Sequence, residues 1–240
     1  MGIKWRDFQL PKRLECDEST YTDTYGKFSA APFERGYGVT LGNPLRRVLL
    51  SSIEGSAVTS VKIQGVQHEF STIAGVLEDV PEIILNIKSL VLNSRSKIPK
   101  TIYIKKNTKG IVKAKDIEVD ETIEIINPDL HIATLTKDTK LNVEMEVARG
   151  RGYVPSELNK KDGLPIGVIP IDSVFTPVKK VSFSVENTRV GQRTDYDKLI
   201  LEISTNGAIS PKDALLYASN ILQRHLDIFV NFGQLPEDIE

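Results

Sequence analysis

Two adjacent arginines, Arg46 and Arg47, stand between Leu45 and the apolar run Val48-Leu49-Leu50. Guanidinium forks beside apolar carbon suit three tasks: solvating a surface, gripping acidic groups or carbonyls of a protein, or touching nucleic-acid phosphate. The residues alone leave all three open. A second cationic run, Arg149-Gly150-Arg151-Gly152-Tyr153, offers two more forks. In a loop it would add backbone N–H groups able to cradle phosphate. It also reads as a solvated turn after a strand, or as a protein contact, since Arg and Tyr are favoured at interfaces. Gly36, Gly38 and Gly42 spell G-x-G-x-x-x-G, one residue too long for a dinucleotide-binding fingerprint. That spacing reads as a tight turn delivering the start of a helix.

Other chemistry is thinly supplied. His68, His131 and His225 lie far apart, and no cysteine stands at metal-ligand spacing from them. His68-Glu69 matches only the first half of a zinc-protease motif. No nucleophile, base and acid fall into a recognisable arrangement. Glu78 and Asp79 read as acids serving the helix start ahead of Pro81.

The elements that must position these residues follow from periodicity. Asn43 suits an N-cap and Pro44 the first helical position, which predicts a helix over 44–54. Leu45, Val48, Leu49 and Ile53 make its apolar stripe. Arg46, Arg47 and Leu50 lie off that stripe, in the first turn, where cations oppose the helix dipole and need an outside partner. A short helix follows over 81–88. A last one starts at Ser210-Pro211 and runs to about Asn231, before Gly233 and Pro236. Ala214, Leu215, Ala218, Leu222, Leu226 and Phe229 form its stripe, widened by Ile221, Ile228 and Val230. A stripe that wide can cover its own sheet and still meet another surface. Alternation predicts strands at Val58–Ile63, at Ile102 and Ile104, at Leu141–Val147, at Val181–Val185 and at Leu199–Ile203. The last two flank a long polar connection, Asn187 to Asp197. Residues 156–163 read as an exposed turn. The class is α+β, with antiparallel sheets solvated on one face.

Composition sets bounds. The 240 residues suffice for one large domain or two small ones. Lys and Arg total 31 against 32 Asp and Glu, for a net charge of -1. That balance argues against wrapping nucleic acid. A single cysteine, Cys16, permits no disulfide within the chain and suits a reducing cytoplasm. No apolar leader is visible, and no run of about 18 apolar residues predicts a membrane span.

Four ordered stretches carry a resemblance. They are Glu34-Arg35-Gly36-Tyr37-Gly38-x-Thr40-Leu41-Gly42-Asn43-x-Leu45-Arg46-Arg47; Gly65-Val66-x-His68-Glu69-Phe70-Ser71-Thr72 with Glu78-Asp79; Arg149-Gly150-Arg151-Gly152-Tyr153-Val154-Pro155; and Val190-Gly191-Gln192-Arg193-Thr194-Asp195-x-Asp197-Lys198-Leu199. From about Leu14 to Phe232 the chain resembles the amino-terminal domain of the bacterial RNA polymerase α subunit. The resemblance implies a discontinuous dimerisation domain, 1–54 plus 179–240, with an antiparallel sheet and two helices. An inserted β-rich domain spans 55–178. It implies a homodimer that scaffolds the large β and β′ subunits. Phe33, Tyr37, Leu41, Leu222, Leu226 and Phe229 are the dimer-interface candidates. Arg46, Arg47 and Leu50 would face β, with His68, Arg149, Arg151 and Tyr153 as further candidates. Lys88, Val178 and Lys180 would face β′.

The same resemblance makes the chain part of a nucleotidyltransferase while placing no catalytic residue, cofactor or metal on it. Mg2+ and nucleotides belong on other subunits. Family members usually continue into a linker and a small carboxy-terminal domain that reads DNA. These residues stop at Glu240, so DNA is expected to be met only through the assembled complex. The alternative reading is a stand-alone phosphate- or nucleic-acid-binding protein built on the Arg149–Tyr153 run.

Overall fold

The computed structural model describes residues 9–160, 163, 165–191 and 193–232. Gln192, and the expected helix stops Gly233 and Pro236, lie outside the described residues. The chain begins with β1 (Leu14–Cys16), β2 (Tyr25–Phe33), α1 (Tyr37–Ser51) and β3 (Glu54–Ile63). Next come α2 (Val80–Lys88), β4 (Leu92–Ser94), β5 (Lys100–Lys106), β6 (Gly110–Lys113), β7 (Ile117–Glu118) and β8 (Ile123–Ile125). Then follow β9 (His131–Leu135), β10 (Leu141–Arg151), β11 (Tyr153–Val154), the short α3 (Ser156–Asn159), β12 (Val168–Pro170) and β13 (Ser173–Val174). The long strands β14 (Val178–Val190) and β15 (Arg193–Thr205) lead into α4 (Pro211–Val230). Two compact units result: Met1–Ile53 with Pro177–Glu240, and Glu54–Thr176.

The first unit is an antiparallel sheet in the order β1-β2-β15-β14. Its register lines up apolar residues on one face. Cys16, Phe28, Leu201 and Phe183 form one cross-strand row, and Ala30, Leu199 and Val185 the next. Leu49 of α1 and Ala214, Leu215 and Ala218 of α4 bury themselves in the same core. The other face carries Lys27 opposite Glu202 and Lys198 opposite Glu186, as a solvated face should.

The second unit is a larger antiparallel sheet, ordered β7-β5-β10-β3-β4-β8, with β12 also paired to β3. Leu141, Val143, Met145 and Val147 all point inward from β10, the alternation seen in sequence. Ile83, Ile84 and Ile87 of α2 close over that core. Asp79 caps α2 by accepting from the Glu82 amide at 2.9 Å. Two-stranded ribbons, β6–β9 and β11–β13, complete the unit.

Three expectations are corrected. α1 begins at Tyr37, not Pro44, so Asn43 is no cap and Pro44 lies within the helix. A proline there leaves the Thr40 carbonyl without its helical donor, a cost normally large enough to end a helix. Close seating on the sheet overrides that local signal. A Cβ on Gly42 would stand 2.5 Å from Cδ2 of Phe183, and one on Gly38 would stand 2.8 Å from Cγ1 of Val185. These two glycines therefore serve helix-to-sheet approach rather than a turn. Second, Asn187 to Asp197 is no loop. β14 and β15 stay paired through Asn187↔Asp197 and Thr188↔Tyr196 out to Val190↔Arg193. Polar side chains hid the strands because this end of the ribbon is largely exposed. Third, the expected turn at 156–163 opens with α3, whose Asn159 side chain donates through Nδ2 to the Ile171 carbonyl at 2.7 Å and to Ser173 Oγ at 2.9 Å.

Gly42→Ala should destabilise the first unit by about 1–3 kcal/mol through overpacking, although alanine is the better helix former. Urea unfolding with an unchanged or higher midpoint would refute that account.

Candidate functional site

α1 sits on the sheet through Gly38, Gly42 and Leu49, its buried residues. The flanks diverge from there. Tyr37, Leu41 and Val48 follow one line along the helix, and Val39, Asn43, Arg46 and Leu50 follow another. At about 100° per residue those lines stand roughly 160° apart. Tyr37 and Leu41 are exposed, Arg46 and Arg47 are exposed, and Leu50 is half-buried against the core. Because the helix starts at Tyr37, both arginines lie beyond its midpoint. The conflict with the dipole read from sequence is therefore absent.

The N-terminus of α1 lacks an acid in its first turn and a side-chain cap of its own, and its N-cap Gly36 is left-handed at φ 91°. The missing acceptor comes from β15. Asp197 Oδ2 accepts from the Gly36 amide at 2.8 Å and from the Gly38 amide at 3.1 Å. Asp197 is 6% exposed, the one buried carboxylate among the described residues. Sequence reasoning held it only as part of a motif. Its signal was an acid in phase with Leu199, Leu201 and Ile203 on the inward face of a strand.

α4 is capped by Ser210, whose Oγ accepts from the Asp213 amide at 3.1 Å. Its first half buries Pro211, Ala214, Leu215 and Ala218, while Leu222 is half-buried. Its second half carries Leu226, Ile228, Phe229 and Val230 on the surface, with Phe229 77% exposed. Phe33, grouped with these by sequence, is buried in its own core within the protomer. Val178 is buried likewise, at 1% exposed among core residues, while Lys180 two residues on is exposed.

In the second unit, Arg149-Gly150-Arg151 is not a phosphate-cradling loop. It continues β10, paired Arg149↔Ser56, Gly150↔Gly55 and Arg151↔Glu54 with β3. Arg149 Nη2 donates to Glu54 Oε2 at 2.8 Å. Arg151 is exposed, and Tyr153 lies opposite Val174 with both side chains outward. Lys88 is held by Asp172 at 2.9 Å, and Asp172 also accepts from the Ser156 amide at 3.1 Å. The Lys88 ammonium, then the Ser156 amide, hold the Asp172 carboxyl below its ordinary value. His68 is exposed, with Nδ1 3.1 Å from Ser71 Oγ.

The segment bearing His68 is anchored by a network the sequence concealed. Glu78 Oε1 meets His131 Nε2 at 2.8 Å and accepts from Thr134 Oγ1 at 2.9 Å, while Oε2 accepts from the Thr134 amide at 2.6 Å. Glu78 thus binds β9 while Asp79 alone caps α2. Burial pushes the Glu78 carboxyl up, but the bonds from His131 and Thr134 outweigh it and leave it below 4.5. Its partners lie 53 and 56 residues away, beyond any spacing rule.

Among the described residues, no group of three or more His, Cys, Asp or Glu is placed to hold a metal ion. No described helix is long and apolar enough to cross a membrane.

The RNA polymerase Rpb3/RpoA insert-domain family matches residues 61–176. Whole-chain relatives are called DNA-directed RNA polymerase subunit alpha. That of Geobacter metallireducens is 54% identical over 240 residues, all of this chain and 71% of the relative. That of Alkaliphilus oremlandii is 54% identical over 234 residues, covering 98% and 74%. That of Rhodopirellula baltica is 53% identical over 239 residues, covering 100% and 72%.

Glu78→Ala would strand the Thr134 amide and His131, costing about 1–3 kcal/mol and loosening the His68 segment. The lowered carboxyl gives stability that is complete above its ordinary value of 4.5 and lost as pH falls through the lower folded value. Proteolysis and acid titration of the variant check both; unchanged cleavage near His68 would refute the anchor.

Proposed function

This chain belongs to the bacterial DNA-directed RNA polymerase α-subunit family, and on that premise we propose that it pairs with a second copy and presents the pair to the β and β′ subunits. The observation that carries the reading is the outer half of α4, where Leu226, Ile228, Phe229 and Val230 stand uncovered within the protomer. Each large apolar side chain fully buried contributes about 1.5–3 kcal/mol. A two-fold contact uses every such residue twice. Leu222 and the Tyr37–Leu41 flank of α1 extend the same apolar material.

Pairing leaves the Arg46–Leu50 flank of α1 for β. Arg46 and Arg47 are exposed, so their forks can reach carboxylates or carbonyls of a partner. His68, Arg151 and Tyr153 add an exposed surface of the same kind on the second unit, with Arg149 fixed to Glu54 beside them. Lys88 and Lys180 are the residues for β′, Lys88 already aligned by Asp172. Both copies carry both surfaces, and a partner many times larger occupies each surface once. The two identical chains then serve different neighbours.

On this reading the chain contributes positioning, and the large subunits handle nucleotides and Mg2+. DNA is met through the assembly, within the cytoplasm. The stand-alone phosphate-binding alternative loses its main support, because Arg149–Arg151 is paired strand rather than a cradle.

Two outcomes test the proposal. Leu226→Glu with Phe229→Glu should convert a dimer into a monomer at micromolar concentration; sedimentation that still finds a dimer would refute the α4 contact. Arg47→Ala should keep the dimer and lower recovery of co-expressed β by about tenfold or more. Undiminished recovery would remove α1 from the β contact.

A further inference from the structure

Asp197 is a buried acid whose side chain, among the described residues, accepts from two backbone amides. Its Oδ2 accepts two amides at the start of α1, 2.8 Å and 3.1 Å away. A helix N-terminus stabilises an anion through free N–H groups and its dipole, and here the helix supplies no acid itself. Access to that oxygen depends on Gly38, where a Cβ would lie 3.1 Å from Oδ2. The carboxylate therefore fixes one end of α1, while Gly42 against Phe183 fixes its middle. If that end is released, α1 pivots about Gly42; Arg47 lies about 8 Å along the axis from there at 1.5 Å per residue, so a tilt of about 15° moves it by roughly 2 Å. A shift of that size breaks fork-to-carboxylate geometry.

From this geometry we infer that Asp197 is a positioning residue for subunit capture: touching no partner itself, it sets the angle at which α1 presents its arginine flank. The inference rests on the reading that this flank grips β. It gives the acid on the inward face of β15 a consequence beyond satisfying the two amides it accepts from.

The test uses the full chain co-expressed with β, in five forms: wild type, Asp197→Ala, Asp197→Asn, Arg47→Ala and the core control Ile203→Ala. Readouts are β recovery, melting temperature, and amide hydrogen exchange at Gly36 and Gly38. Asp197→Ala should speed exchange at both amides and cut β recovery about tenfold. Ile203→Ala, buried in the same core, should lower the melting temperature at least as much yet leave recovery within about twofold. Asp197→Asn keeps an acceptor oxygen and should restore most of the recovery and the protection. Recovery that falls with melting temperature alike in Asp197→Ala and Ile203→Ala would overturn the inference, as would an Asn variant no better than Ala. Capture lost in Arg47→Ala but kept in Asp197→Ala overturns the inference alone. Capture kept in Arg47→Ala overturns the β-binding reading beneath it.

Discussion

The seating of α1 on its sheet is the constraint from which the first unit takes its shape. Two requirements meet there. The helix must lie close enough for Phe183 and Val185 to touch its backbone, which only glycine at 38 and 42 permits. Its free N–H groups must also find an acceptor inside a mostly apolar interface, which Asp197 provides. Neither works without the other. Backbone approach brings the amides to the carboxylate, and the carboxylate offsets the burial of those amides. A rigid helix follows, with an apolar flank and a cationic flank facing different directions.

α4 shows the complementary strategy. Its first half is secured by small residues, Ala214 and Ala218, packed against the sheet, and by the Ser210 cap. The second half has little beneath it in the protomer. Helices draw most of their stability from packing of an amphipathic face. An apolar half left without that packing is in keeping with a subunit of a larger assembly, and the family to which this chain belongs is that of an RNA polymerase subunit.

Much of this was legible from local pattern. Alternation in Leu141–Val147 fixed a central strand and its inward face, and Ser210-Pro211 with Asp213 located the start of α4. The wide α4 stripe covers its own sheet, as its width suggested, but it divides along the helix, buried in the first half and exposed in the second. What escaped were interactions between distant positions. Asp197 reaches Gly36 across 161 residues, and no local rule distinguishes such an acid from a solvated one. Asn43-Pro44 imitated a helix start because capping statistics weigh neighbours, not a sheet pressing from one side. Arg149–Tyr153 looked like a loop because glycines at 150 and 152 break the apolar alternation, yet β3 pairs with its first half. The Glu78–His131–Thr134 network was hidden for the same reason as Asp197.

The separation between Gly36 and Asp197 also has a consequence in time. A ribosome adds about 5–20 residues per second, so the 161 residues between the helix start and its acceptor take about 8–30 s to emerge. Throughout that delay α1 exists without β14 or β15, the strands on which it must rest. The Glu54–Thr176 unit is contiguous and emerges whole in the interval. Vectorial synthesis thus sets an order: the middle of the polypeptide folds first, and its two ends join last. Only a nascent chain translated past β15 can supply the acceptor that completes the start of α1.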